Sequence, residues 1–417
     1  MPLSGHPPIL PVRKRAEIVN SILKERLDTL LPAIMREHGL DMWLMVCQED
    51  NYDPVMESMI PYECWFKILN FLIFFDRGGD AGVERIDLGF SRTGGLYEKP
   101  WRGMRHAEQW ELLPRLVEER DPKRIGINVS SVNWASDGLS HGLYLQLCRH
   151  LPEKYVNRLV SAEAAAVQWL MTHVDRQLQL YRDTLGPLAH WIIKTLASRR
   201  YVTPGRTTTE DMNWAYWQMC TDLGIEPAFK PNYYIRRRGV NGNPEDNTVQ
   251  EGDMLLCDVG IQYLDLHTDM TEWSYVLSPG ETDVPDGFHE LMRQAHRLQD
   301  IYMAEFREGL SGNQLLRNIL ARAHRENVPN PKVYSHSCGL FVHEPGPLIG
   351  LPWEQQDTGG RGEVPCAQFH VHHGASVEMP VAGWGGQSVR LALEQDVIFT
   401  RAGVEVIDGR QTQYHLI

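Results

Sequence analysis

The stretch Asp253–Trp273, DMLLCDVGIQYLDLHTDMTEW, decides how the rest of the chain is read. Met254, Leu255, Leu256 and Cys257 form a short apolar run after Gly252, the pattern of a buried strand. Asp258 ends that run, and an ionised carboxylate at the end of a buried strand is costly unless a cation compensates it. Val259-Gly260 marks a bend, and 261–266 reads as a second strand that returns Asp269 to the side of Asp258. Two facing carboxylates repel each other and ask for a shared proton or a metal. Alone, the pair is also compatible with a surface Asp in a hairpin and a helix N-cap, so the remaining residues have to decide.

The chain has 417 residues, 42% hydrophobic and 23% charged, the composition of an ordinary soluble globular protein with room for two or three domains. Its net charge of −13 argues against nucleic acid and anionic membranes as partners. The seven cysteines (47, 64, 148, 220, 257, 338 and 366) are scattered, with no CxxC pair, which fits free thiols in a reducing compartment. Arg13, Lys14 and Arg15 are not followed by the apolar run of a secretory signal. The longest apolar stretch, 64–75, is interrupted by Lys67 and Asn70 and is too short to span a bilayer. A cytoplasmic protein is expected.

Residues 1–12 read as a Pro-rich arm. Ile18, Ile22, Leu23, Leu27, Leu30, Leu31 and Ile34 recur at helical spacing over 13–38, and Gly39 ends that helix. Strands are expected at 42–46, 67–75, 84–88 and 124–129, and a helix at 108–119. Helices alternating with strands make residues 1–160 an α/β domain. It shows no nucleotide-binding glycine loop, and dimer contacts and one wall of a cleft are its expected roles. Residues 161–417 make a second domain, opening helically over 161–199 with a break near Pro187. A helix over 210–223 follows, capped by Thr208 or Thr209, and further helices are expected at 287–307 and from Ser311 to about 326.

The second half supplies partners for the two aspartates. His336 and His343 lie seven apart in HSCGLFVHEP, Glu378 lies in SVEMP, and Glu394 lies in LALEQDVIFT. Each alone has a dull explanation as a core histidine or a solvated strand-edge glutamate. In order, the set Asp258, Asp269, His336, Glu378 and Glu394 is oxygen-rich, suiting Mn²⁺, Co²⁺ or Fe²⁺ better than a thiolate-type zinc site. Four carboxylates also balance two divalent ions, the stoichiometry of a two-metal centre.

This order and its contexts resemble the creatinase, aminopeptidase P and methionine aminopeptidase superfamily, the pita-bread metallopeptidases. The matching motifs are Asp258-Val259-Gly260, Asp269-Met270-Thr271, His336 followed by Gly339 to His343-Glu344-Pro345, Glu378-Met379-Pro380, and Glu394 with Thr400. The resemblance spans about 175–417. It implies an α/β chain: a creatinase-like N-terminal α/β domain followed by a pita-bread (α+β) catalytic domain. It also implies two divalent ions, Mn²⁺ first with Co²⁺, Fe²⁺ or Zn²⁺ as alternatives. Asp258 would chelate one, Asp269 and Glu394 bridge both, and His336 and Glu378 complete the other. A metal-bridging hydroxide would attack a carbonyl carbon, Glu378 would relay the proton, and His343 would hydrogen-bond the substrate or the oxyanion. The implied reaction is cleavage of an N-terminal Xaa-Pro bond in a dipeptide or short peptide by a homodimer. Non-peptide C–N hydrolysis of a small amide, or a lyase reaction on a sulfonium compound, are alternatives on the same scaffold, and a non-catalytic peptide-binding module is a third.

The pattern departs from that of proline peptidases in places. Glu272-Trp273 follows Thr271 where a Thr-Arg-Thr run is usual, Ala392 stands where an Arg two before the last Glu is usual, and 236–253 has no His. Three readings fill the gap: His267, His372 or His373 facing the pocket (with His370 beside them), Arg238 within the Arg236–Arg238 cluster as a carboxylate clamp, and Trp273, Trp353 and Trp384 walling an apolar pocket. Each is also readable as core or solvated surface.

Overall fold

The computed structural model describes residues 5–366, 369–400, 403–407 and 409–417, with 369–372 as backbone only. It divides into two compact units, one over Leu10–Val174 and one over Asp175–Ile417 together with residues up to Ile9. The division falls after the helix Glu163–Met171. That helix is tied to the first unit by Arg26, whose guanidinium donates to the Trp169 and Thr172 carbonyls and stacks on the Trp169 ring at 4.4 Å.

The first unit is a five-stranded sheet in the order Val83–Asp87, Leu69–Asp76, Met42–Gln48, Ile125–Ile127, Leu159–Ser161. Its central strand is buried over Met42–Cys47, as an uninterrupted apolar run requires. The helices Val12–Glu37 and His106–Arg120 match the periodicity of the sequence within two residues.

The second unit opens on a helix that runs without interruption over 175–196 through a π-turn at Tyr181–Leu185, directly before Pro187 near the start of Gly186–Leu196. The helix Thr209–Leu223 carries a capping box in which Thr208 and Asp211 satisfy each other's backbone N–H groups. Ser311 and Gln314 do the same for Gly312–Arg325. The main sheet runs Glu344–Ile349, Lys332–Ser337, Phe369–Val381, Gln387–Thr400, Met270–Tyr275, Met254–Val259, Asn232–Arg236. The helix Phe288–Glu305 packs on its two longest strands, with His373 stacked edge-on against Tyr302 at 4.1 Å.

The return from Asp258 to Asp269 is not the simple hairpin that the alternation of 261–266 suggested. Ile261–Tyr263 and Leu266–His267 form their own small ribbon, turned through Leu264 and Asp265 at positive φ. The strand that pairs with Met254–Val259 begins only at Met270. Among the described residues no helix is long and apolar enough to cross a membrane.

Candidate metal centre

Three adjacent strands build the site. Thr271 lies opposite Asp258 on one edge of its strand and opposite Glu394 on the other. Asp269 sits immediately before that strand. Ligand atoms of Asp258, Asp269 and Glu394 all lie within 4.8 Å of one another. Thr271 Oγ1 donates to Glu394 Oε2 at 2.5 Å, fixing the rotamer of that carboxylate.

A second group shares Asp269. His336 Nε2 is 3.4 Å and His343 Nε2 3.9 Å from Asp269 Oδ2, and the two imidazole rings are 4.7 Å apart. His336 Nδ1 lies 3.0 Å from the Ser337 carbonyl. That contact needs a proton on Nδ1, so it leaves the Nε2 lone pair toward Asp269, the tautomer a ligating histidine requires.

The electrostatics favour a shared proton or a bound cation. Burial, and then the neighbouring Glu394 and Asp269 charges, push the Asp258 carboxyl up to about 8. Burial and Asp269 raise Glu394 as well. No lysine or arginine pairs with Asp258 among the described residues. Three carboxylates crowded in a mostly buried site, with an imidazole tautomer set for coordination, fit a divalent cation by donor chemistry and by spacing.

Glu378 is not brought to this cluster. Strand register pairs Gly374, not Glu378, with Glu394, and Glu378 lies opposite Arg390. Its carboxylate accepts from Arg390 at 2.6 Å and from Ser388 at 3.0 Å, and those contacts hold it below its ordinary range against the partial burial that raises it. Glu378, expected as ligand and proton relay, thus stands apart from the other four residues, and reaching Glu394 would need a slip of four residues in a hairpin whose turn fixes the register.

His267 is structural. It is 7% exposed, its Nδ1 meets the Gly339 carbonyl at 3.1 Å, and burial lowers its pKa to about 4, so the ring is neutral. Its own carbonyl accepts from Tyr181 Oη, which ties the π-turn to the strand Leu266–His267. Arg238 is exposed, while Arg237 is committed to Asp253 at 2.7 and 2.8 Å, so this cluster is a surface and a strand anchor. His373 is buried against Tyr302; the side chains of His370 and His372 lie outside the described residues. Trp273 donates to the Ala392 carbonyl, Trp384 packs on Phe288, and Trp353 is 79% exposed, so these three do not wall one pocket.

The unusual Glu272 has a local explanation. Its carboxylate lies between His190 Nδ1 at 2.7 Å and His415 Nε2, and although burial would raise its pKa, those bonds hold it down at about 2. Two residues that sequence reasoning passed over also shape the site. Glu344, fully buried, accepts the Leu340 and Phe341 N–H groups at 2.6 and 3.2 Å and so sets the loop that carries His343. Its position directly after His343 was the available signal. Arg361, in the turn Gly359–Glu363, donates to the Glu344 carbonyl at 2.6 Å, and its Nε has no acceptor among the described residues. It lies near enough to Tyr334 and His343 to perturb both, and nothing around it in sequence marks it out.

Comparison with known proteins gives this geometry a context. A search of curated proteins returns no match. Among solved structures, the X-Pro aminopeptidase of Thermotoga maritima MSB8 aligns at TM-score 0.64 and 15% identity, covering 92% of this chain and 100% of that one. The Xaa-Pro dipeptidase of Bacillus anthracis aligns at 0.60 and 15%, covering 96% and 100%. The prolidase of Pyrococcus furiosus aligns at 0.55 and 14%, covering 91% and 98%. At these identities the likeness is one of fold, and it bears out the pita-bread architecture expected from the motifs. The model of metallopeptidase family M24 matches residues 189–398, half of the chain, a span that contains Asp258, Asp269, His336, His343 and Glu394. The chain belongs to metallopeptidase family M24.

Proposed function

We propose that the protein hydrolyses the Xaa-Pro bond of dipeptides or short peptides, using two divalent cations held around Asp258, Asp269, His336 and Glu394. The observation that carries the reading is the cluster of Asp258, Asp269 and Glu394 within 4.8 Å, on a fold shared with Xaa-Pro aminopeptidases and dipeptidases. Bound divalent ions supply an acidified water and polarise a carbonyl, so no protein nucleophile is required. The chain's own residues supply position and charge. Thr271 orients Glu394, and the Ser337 carbonyl orients His336. Phe229, with its ring 6.2 Å from that of His343, gives an apolar face suited to a prolyl ring. Burial lowers the pKa of Arg361, a cost that an incoming anion would offset. A guanidinium at that place suits the terminal carboxylate of a dipeptide, the role first sought at Arg238.

The test is a panel of dipeptides incubated with the metal-reconstituted protein, with and without chelator. Proline release from Ala-Pro that requires Mn²⁺ is the expected result. Cleavage of Ala-Leu but not Ala-Pro would remove the prolyl specificity and leave a metallopeptidase of other preference.

A further inference from the structure

We propose that His343 is a metal ligand in this chain, standing in for the carboxylate that Glu378 does not provide, so that the centre has two chemically unequal halves. One half is oxygen only: Asp258, Asp269 and Glu394. The other is nitrogen-rich: Asp269, His336 and His343. Asp269 is common to both. This rests on the metal-centre reading above.

Gly374 is the residue directly across from Glu394, the point on that strand where a carboxylate would face it most closely. A Cβ built there would lie 2.7 Å from the Tyr334 carbonyl oxygen and 3.3 Å from Glu394 Oε1. The first contact is with backbone, so the position accepts no side chain without moving the neighbouring strand. Glu378, four residues on, is displaced by about 13 Å along the strand at ~3.3 Å per residue. It is already engaged by Arg390 and Ser388. Among the described residues the carboxylates of the cluster are therefore Asp258, Asp269 and Glu394.

His343 is placed to make good the shortfall. Donors bound about 2.1 Å from a tetrahedral ion lie about 3.4 Å from one another. His336 Nε2 stands at 3.4 Å from Asp269 Oδ2, and His343 Nε2 at 3.9 Å, within a small side-chain rotation of the same shell. Glu344 holds the backbone of this loop through two N–H groups, so the imidazole is presented by a fixed support. Two imidazoles and one carboxylate suit Zn²⁺ or Fe²⁺, whereas the three carboxylates suit Mn²⁺ or Mg²⁺. The two halves should therefore sort different ions.

The test is calorimetric titration of the metal-stripped full chain with Zn²⁺ and with Mn²⁺, followed by elemental analysis after dialysis. Wild type should retain two Zn²⁺ per chain. His343→Ala should lose one, its second Zn²⁺ site weakened by more than the ~10–100-fold typical of losing an outer-shell partner. Its Mn²⁺ binding at the carboxylates should stay as in wild type. His343 has 53% of its side chain exposed, so the variant leaves no core cavity. Glu378→Gln and His372→Ala should each keep two Zn²⁺. Two Zn²⁺ of unchanged affinity in His343→Ala, or loss of one in Glu378→Gln or His372→Ala, overturns the assignment of His343 alone. A wild type that binds no divalent ion overturns the metallohydrolase reading beneath it.

Discussion

Asp269→Asn exposes the physics of the centre most fully, because Asp269 belongs to both ligand groups. In the metal-free protein its charge faces those of Asp258 and Glu394 with ligand atoms within 4.8 Å. At an effective dielectric near 20, each ionised pair at that distance repels by about 3.5 kcal/mol. The raised Asp258 pKa, about 8, expresses burial together with this repulsion. A carboxyl whose folded pKa is raised binds protons better folded than unfolded. The metal-free wild type must therefore lose stability as pH rises from the ordinary carboxylate range toward 8. Asp269→Asn relieves two of the repulsive pairs, so the metal-free variant should melt above metal-free wild type at pH 8. Adding Mn²⁺ reverses the order. A ligand at a thousand times its Kd stabilises by about 4 kcal/mol, roughly 8–16 °C for a unit of this size, and only wild type should gain it. Differential scanning calorimetry on both proteins, with chelator and with Mn²⁺, reads all four values. A metal-free variant less stable than metal-free wild type, together with no gain from Mn²⁺ in wild type, would refute the electrostatic argument.

Three further outcomes are expected. Glu378→Gln breaks a half-exposed ion pair with Arg390, so stability should change by less than about 1 kcal/mol and Mn²⁺ content not at all, as read by melting and elemental analysis. Arg361→Ala should raise KM for Ala-Pro by roughly 10–150-fold, the scale of a charge-assisted hydrogen bond, and leave Ala-Pro amide, which lacks the carboxylate, unchanged in steady-state assays. Glu272→Gln should cost on the order of 3 kcal/mol at neutral pH, because the folded pKa is held at about 2, below the ordinary 4.5. A depressed carboxylate stabilises above its unfolded pKa, so this difference should shrink as pH falls through 4.5 toward 2, measured by urea unfolding across that window.

Much of this was legible in the sequence because it depends on local rules. Helix Val12–Glu37 follows from its 3.6-residue spacing, and the capped starts at Thr208 and Ser311 from their box partners three residues on. Asp258 and Asp269 were readable as a pair because a buried strand ending in Asp is costly by itself. Glu394 and His336 were readable by motif order. The position of Glu378 was not legible because motif order carries no register: only the turn over 382–386 decides that Gly374 faces Glu394. Arg361 was invisible because the groups it meets, the Glu344 carbonyl, Tyr334 and His343, are neighbours only in three dimensions. Glu272 looked like a lost cation until His190 and His415, far apart in sequence, closed on it.

The location of the metal is the central claim, and anomalous diffraction from Mn²⁺-soaked crystals measures it directly. Anomalous density is expected among Asp258, Asp269 and Glu394, with Glu378 still bonded to Arg390. Density centred on Glu378, or none at the three carboxylates of a fully soaked crystal, would contradict it.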